Sequence, residues 1–175
     1  MIDNVYVFRN FITETECESL TGWIIENYTT EVFKKPKHPG TIRVSTRFYS
    51  HPIKYPALSY EIQKKIDDKI IEIFKNKKIK KVPSFFDGMY ASYGFVGDKC
   101  ARHTDPVYIP NTTTYHCNLI LTDHQGGQLI LDDIEYFLNK KDVIFYPVSL
   151  IPHETTELVG EKSRMFWNFG YCIYE

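Results

Sequence analysis

The chain is 175 residues long, which suits one domain with room for a sizeable core. Hydrophobic residues make up 43%, aromatics 15% and charged residues 25%, and the formal net charge is -1. That near-neutral balance excludes a global attraction to nucleic acid or acidic membranes, and no run approaches the ~18 apolar residues of a membrane span.

Val5 to Phe8 is a short apolar opening and reads as a strand. Met1-Ile2-Asp3-Asn4 lacks the basic and apolar regions of a secretory signal. Cys17, Cys100, Cys117 and Cys172 form no CxxC pair, so they predict neither a zinc site nor a disulfide framework. Together these give a cytoplasmic chain with reduced thiols.

Thr13-Glu14-Thr15-Glu16 is a capping box, with Thr13 as N-cap and Glu16 reaching back. Cys17, Leu20 and Ile24 then share one face, which predicts a helix to about Asn27. Lys34 to Gly40 is a loop, and Thr41 to Tyr49 alternates as a strand does. Ser59 to about Lys75 carries Ile62, Ile66, Ile70, Ile73 and Phe74 at helical spacing. Its basic end, Lys75 to Lys81, reads as a solvated helix C-terminus, where cations suit the helix dipole. Lysines without interleaved arginines and aromatics are a weak nucleic-acid signal.

After Lys81 short apolar runs alternate with turn residues: Val82–Phe86, Met89–Phe95, Thr113–Leu121, Gln128–Leu131, Ile134–Leu138, Val143–Tyr146 and Met165–Tyr174. Many short strands at this spacing predict a barrel or jelly roll. The expected domain is therefore α+β and mainly β: helical support over about 1–81, packed on one face of a sandwich over about 82–175.

One constellation carries chemistry. His103 and Asp105 are two apart, so from one strand both side chains point the same way. His153 lies fifty positions on, after an apolar strand and a Pro-containing turn. Two imidazoles and a carboxylate occupy one face of an octahedral metal and leave the other open, the donor set of non-haem Fe(II) oxygenases. His38, His51 and His124 fall in or near loops and turns and read as structural or surface residues. His116 sits mid-strand where it can face the cavity, but nothing in the sequence pairs with it.

The chain also resembles the 2-oxoglutarate/Fe(II) dioxygenase superfamily, specifically its prolyl-hydroxylase-like branch. Tyr93-Gly94-Phe95-Val96-Gly97 before Arg102-His103-Thr104-Asp105 is similar to that family's tyrosine, Gly-containing loop and HxD segment. Asn118-Leu119-Ile120-Leu121-Thr122 with Gly126-Gly127-Gln128-Leu129 looks like its apolar strand and Gly-Gly turn. Pro152-His153-Glu154 looks like the second iron histidine, and Gly160-Glu161-Lys162-Ser163-Arg164 precedes an aromatic last strand. Asn10-Phe11-Ile12 with the helix after it is similar to the branch's opening.

The resemblance implies a double-stranded β-helix with N-terminal helices packed on one sheet. It implies iron held by His103, Asp105 and His153, with 2-oxoglutarate and O2 as co-substrates and ascorbate supportive. It places Tyr93 near the 2-oxoglutarate carboxylate, and Arg164 or Lys162 as the cation that anchors it. Two apart, both can face the cavity from one strand; a guanidinium fork favours Arg164. Tyr108, Asn118 and Trp167 are candidate substrate-side residues. The implied activity is hydroxylation of a C–H bond in a protein side chain such as proline. The alternatives are a free amino acid or other small molecule as substrate, or a non-enzymatic cupin-like metal-binding module.

Overall fold

The computed structural model describes residues 4–28, 39–42, 44–49, 54–83 and 88–175. The expectations that fall on His38, His51, positions 34–38 and positions 84–87 lie outside the described residues.

The first strand, β1, is Tyr6–Phe8 and the first helix, α1, is Glu14–Glu26. The capping box forms as expected: the Glu16 amide donates to Thr13 Oγ1 (3.2 Å), and the Thr13 amide donates to Glu16 Oε2 (2.8 Å). Then come β2 (Ser45–Tyr49), α2 (Ala57–Ile73), β3 (Ile79–Lys81) and β4 (Met89–Gly94). The C-terminal part adds β5 (Thr112–Ile120), β6 (Gln125–Gly126), β7 (Leu129–Leu131) and β8 (Ile134–Tyr136). It ends with β9 (Val143–Tyr146), β10 (His153–Thr155), β11 (Leu158–Val159) and β12 (Arg164–Tyr174).

All the strand pairings among the described residues are antiparallel. The large sheet runs β1-β9-β5-β12-β4-β2. β12 is long enough to be shared: β5 lies along one edge, while β4 and then β3 take the other end to end. This corrects the reading of the basic segment. The helix stops at Ile73, and Ile79–Lys81 is a strand recruited by the edge of β12 beyond β4. A smaller sheet, β10-β7-β8, and the pair β11-β6 complete a mainly β, jelly-roll-like arrangement with two helices.

Strand alternation sorts the large sheet into two faces. Tyr115, Cys117 and Leu119 of β5, Trp167, Phe169 and Tyr171 of β12, and Val143 and Phe145 of β9 pack with Cys17, Leu20 and Ile24 of α1 and Ile62, Ile66 and Ile70 of α2. On β9 the intervening Ile144 and Tyr146 join a second cluster with Leu129 and Leu131 of the small sheet, Val148 and Ile151. The two sheets therefore enclose a space, lined from β5 by His116, Asn118 and Ile120 and from β12 by Arg164 and Phe166. No described helix is long and apolar enough to cross a membrane.

Candidate metal centre

His103 and His153 are brought together by the backbone. Each is the other's partner in an isolated antiparallel bridge, with His103 N to His153 O at 3.0 Å and His153 N to His103 O at 2.8 Å. Their rings lie with centroids 4.3 Å apart. Asp105 follows on an irregular segment, tied by its amide to the Val148 carbonyl (2.9 Å). The expected i, i+2 relation survives although Asp105 itself is in no strand.

Both imidazoles are oriented the same way. His103 Nδ1 lies 2.8 Å from the Ala101 carbonyl and His153 Nδ1 3.2 Å from the Ile151 carbonyl. A carbonyl only accepts, so each Nδ1–H donates and each Nε2 turns to the carboxylate. His103 Nε2 stands 3.6 Å from Asp105 Oδ1, and His153 Nε2 3.8 Å from Asp105 Oδ2. The donor atoms of the three residues lie within 4.8 Å of one another.

The electrostatics fit a site built for a cation. Burial would raise the Asp105 pKa, but the imidazoles around it, His103 foremost, hold it well below the usual carboxylate range. Burial works against a charged His103, yet Asp105, Cys100 and the Ala101 carbonyl outweigh it and push its pKa up to about 10. Burial pulls His153 down to about 4; Asp105 opposes this, and the charges of His103 and His116 add to it. These shifts leave His103 protonated beside an ionised Asp105, with His153 neutral. A divalent ion takes the place of such a proton.

The three residues line one cavity of about 250 Å³, just below the usual range of about 300–1,000 Å³ for ligand pockets. Arg164 lines it too, buried, with Nη1 donating to the Gly127 carbonyl (2.7 Å) and Nη2 to Asp98 Oδ2 (3.1 Å). Asp98 is itself buried and accepts the Val44 amide (2.9 Å). Lys162 is exposed and outside the cavity lining, because β12 begins only at Arg164 and strand parity does not reach back to it.

Other expected positions sort by parity. Asn118 lines the cavity, and its Nδ2 donates to the Tyr146 hydroxyl (3.2 Å). Trp167 does not: it is fully buried on the helix side, with its ring centroid 5.4 Å from Trp23 and 5.3 Å from Tyr55. Tyr93 faces the same way, its ring edge-on to Tyr28 and tilted against Phe95, and the tyrosine that β4 gives the cavity is Tyr90. Tyr108 is half-buried and outside the cavity lining. Trp167, Tyr93 and Tyr108, expected near the site, are thus not among the described residues that line this cavity.

Sequence reasoning did not assign Tyr90, Arg47, His116, His124 or Phe137, all of which line the cavity. Alternation within Thr112–Ile120 could have grouped His116 with Asn118, since both are even-numbered residues of one strand.

No protein-family model matches the sequence, and no curated protein does. Solved structures do. A prolyl-4-hydroxylase from Pseudomonas putida superposes with a TM-score of 0.71 at 15% identity, over 98% of this chain and 93% of that one. A prolyl hydroxylase from Trichoplax adhaerens, in complex with a hypoxia inducible factor peptide fragment, gives 0.72 at 13% identity, over 98% and 84%. HygX from Streptomyces hygroscopicus, with nickel, 2-oxoglutarate and hygromycin B bound, gives 0.69 at 13% identity, over 97% and 82%. At such identities the likeness shows the fold: the chain has the architecture of these prolyl hydroxylases and of HygX.

Proposed function

We propose that this chain is a 2-oxoglutarate-dependent Fe(II) dioxygenase that hydroxylates a C–H bond, on a double-stranded β-helix forming one domain over 1–175. A fold by itself does not select a chemistry. The observation that carries the reading is that one cavity holds His103, Asp105 and His153 together with the buried guanidinium of Arg164. Metal binding alone has no use for that cation, whereas a 2-oxo acid has a far carboxylate that needs one.

Bound Fe(II) with 2-oxoglutarate and O2 supplies the oxidation of the C–H bond, with succinate and CO2 as co-products. The protein's part is position and exclusion of water. His103, Asp105 and His153 hold the metal. Arg164 holds the far carboxylate: with five N–H donors it can grip an anion while its bonds to Gly127 and Asp98 fix the guanidinium plane. Ile120, Leu129 and Phe166 form apolar wall between sheets. Asn118 stands among them as a polar handle on the substrate side.

A protein side chain such as proline is the substrate class favoured by the two prolyl hydroxylases among the structural neighbours. HygX with hygromycin B supports a small molecule as the second reading. The test supplies Fe(II), ascorbate, 2-oxoglutarate and air, adds prolyl peptides or a small-molecule panel, and measures succinate. Succinate should form above the level of Asp105→Ala, a variant that should fold but bind no metal. Equal succinate from both proteins under every condition would sink the oxygenase reading.

A further inference from the structure

The centre holds a third imidazole that the reading above does not use. His116 lies on β5 in the middle of the large sheet and is 5% exposed. Its Nε2 stands 3.6 Å from Asp105 Oδ2, while His103 Nε2 approaches the other oxygen, Oδ1, at 3.6 Å. His153 Nε2 lies a little farther from Oδ2, at 3.8 Å, so three imidazoles surround one carboxylate and His116 comes nearest to that oxygen. His116 falls outside the group whose donor atoms all lie within 4.8 Å of one another. It is beside the ligand set and not part of it.

The supports of the two residues differ. His116 is fixed by regular pairing on both sides, with Gly170 of β12 and Tyr146 of β9. Its ring meets Tyr146 edge-on (centroids 6.3 Å, 84°), and Tyr146 meets His153 the same way (5.7 Å, 73°). Asp105 sits on an irregular segment. A carboxylate turns freely about its last torsion and exchanges its two oxygens. An N–H held by a rigid strand against one oxygen stops that exchange and aims the other at a metal. Such outer partners orient ligands in metal sites generally.

We infer that His116 is a positioning residue for Asp105: it engages Oδ2 through its ring N–H and presents the carboxylate to the metal in one orientation. The inference rests on the metal-centre reading above. A neutral imidazole with its hydrogen on Nε2 is enough, so no protonation change is involved. The role also explains a histidine at an apolar-walled strand position, between Tyr115 and Cys117, which face the helical core.

The experiment titrates the metal-free protein with Co(II) alone and follows binding calorimetrically and through the visible Co(II) spectrum. His116→Leu keeps the volume and removes the donor; His116→Gln returns an N–H at similar reach. H116L should bind Co(II) about 10–100-fold more weakly than the wild type, with an altered spectrum, the usual cost of losing an outer-shell partner. H116Q should recover most of the affinity and the wild-type spectrum. If H116L does not fold, judged by circular dichroism, His116→Met carries the same comparison. Wild-type affinity and spectrum in the apolar variant would overturn the inference. So would an H116Q as impaired as H116L, since His116 would then act other than as a donor. Failure of the wild-type chain to bind Co(II) would instead remove the metal centre itself.

Discussion

Arg164 and Lys162 show how much one residue's context decides. By spacing alone they are interchangeable, two apart before an aromatic strand. The structure separates them because β12 starts at Arg164, leaving Lys162 on the exposed turn after Gly160, whose φ of +77° bends the chain. Lys162→Ala should therefore leave the KM for 2-oxoglutarate unchanged. Arg164→Lys should raise it tenfold or more, since a point charge replaces the fork and a charge-assisted hydrogen bond is worth roughly 1.5–3 kcal/mol. Steady-state succinate formation measures both. Arg164→Ala is the poorer test, because it strands the buried Asp98 without its partner, a change that costs about 3–5 kcal/mol in such pairs. Equal KM shifts in the two lysine-bearing and lysine-lacking variants would return the anchor to open choice.

At the scale of elements, legibility followed length and local rules. The capping box and the Leu20/Ile24 stripe announced α1, and Ile62, Ile66 and Ile70 announced α2. Val143–Tyr146 was legible to the residue, being bounded by Asp142 and Pro147. β6, β10 and β11 were not, because two or three residues carry no period. The site was legible where it is short-range and blurred where it depends on register. His103, Asp105 and His153 could be named, but whether Tyr90 or Tyr93 looks inward is a one-residue question that pairing with β12 answers. The Gly-Gly turn was seen without its purpose. Gly126 has φ +68°, and a Cβ there would stand 2.0 Å from the Glu157 carbonyl of the neighbouring strand segment. Gly127, with φ +66°, would place a Cβ 3.0 Å from Arg164 Nη1. Gly126→Ala should thus open the β6-β11 pairing and lower the thermal midpoint. Gly127→Ala should instead displace the guanidinium, weakening 2-oxoglutarate binding more than stability. Calorimetry beside KM measurement tells the two apart, and identical profiles would refute the division.

For the whole molecule, the centre sets a pH dependence. In the metal-free protein His103 has a raised pKa, so its stabilisation is present below about 6.5 and lost as pH climbs toward about 10. His153 has a lowered pKa, so the folded state loses ground as pH falls from about 6.5 toward about 4. Asp105, also lowered, loses its contribution in stronger acid. The site's share of stability therefore peaks near pH 6.5 without metal. Binding a divalent ion must expel the proton of His103, so affinity should rise with pH, with close to one proton released at neutrality. Calorimetry of Co(II) binding in buffers of different ionisation heat counts that proton, and a count of zero would contradict the arrangement. The bridge between His103 and His153 has a further, evolutionary meaning. Because the two histidines are joined by reciprocal backbone bonds, the segment between them can change in length and sequence while their rings stay in place. The pair is specified by backbone addresses, not by a contiguous signature, and chains sharing only 13–15% of their residues with this one still superpose on its fold.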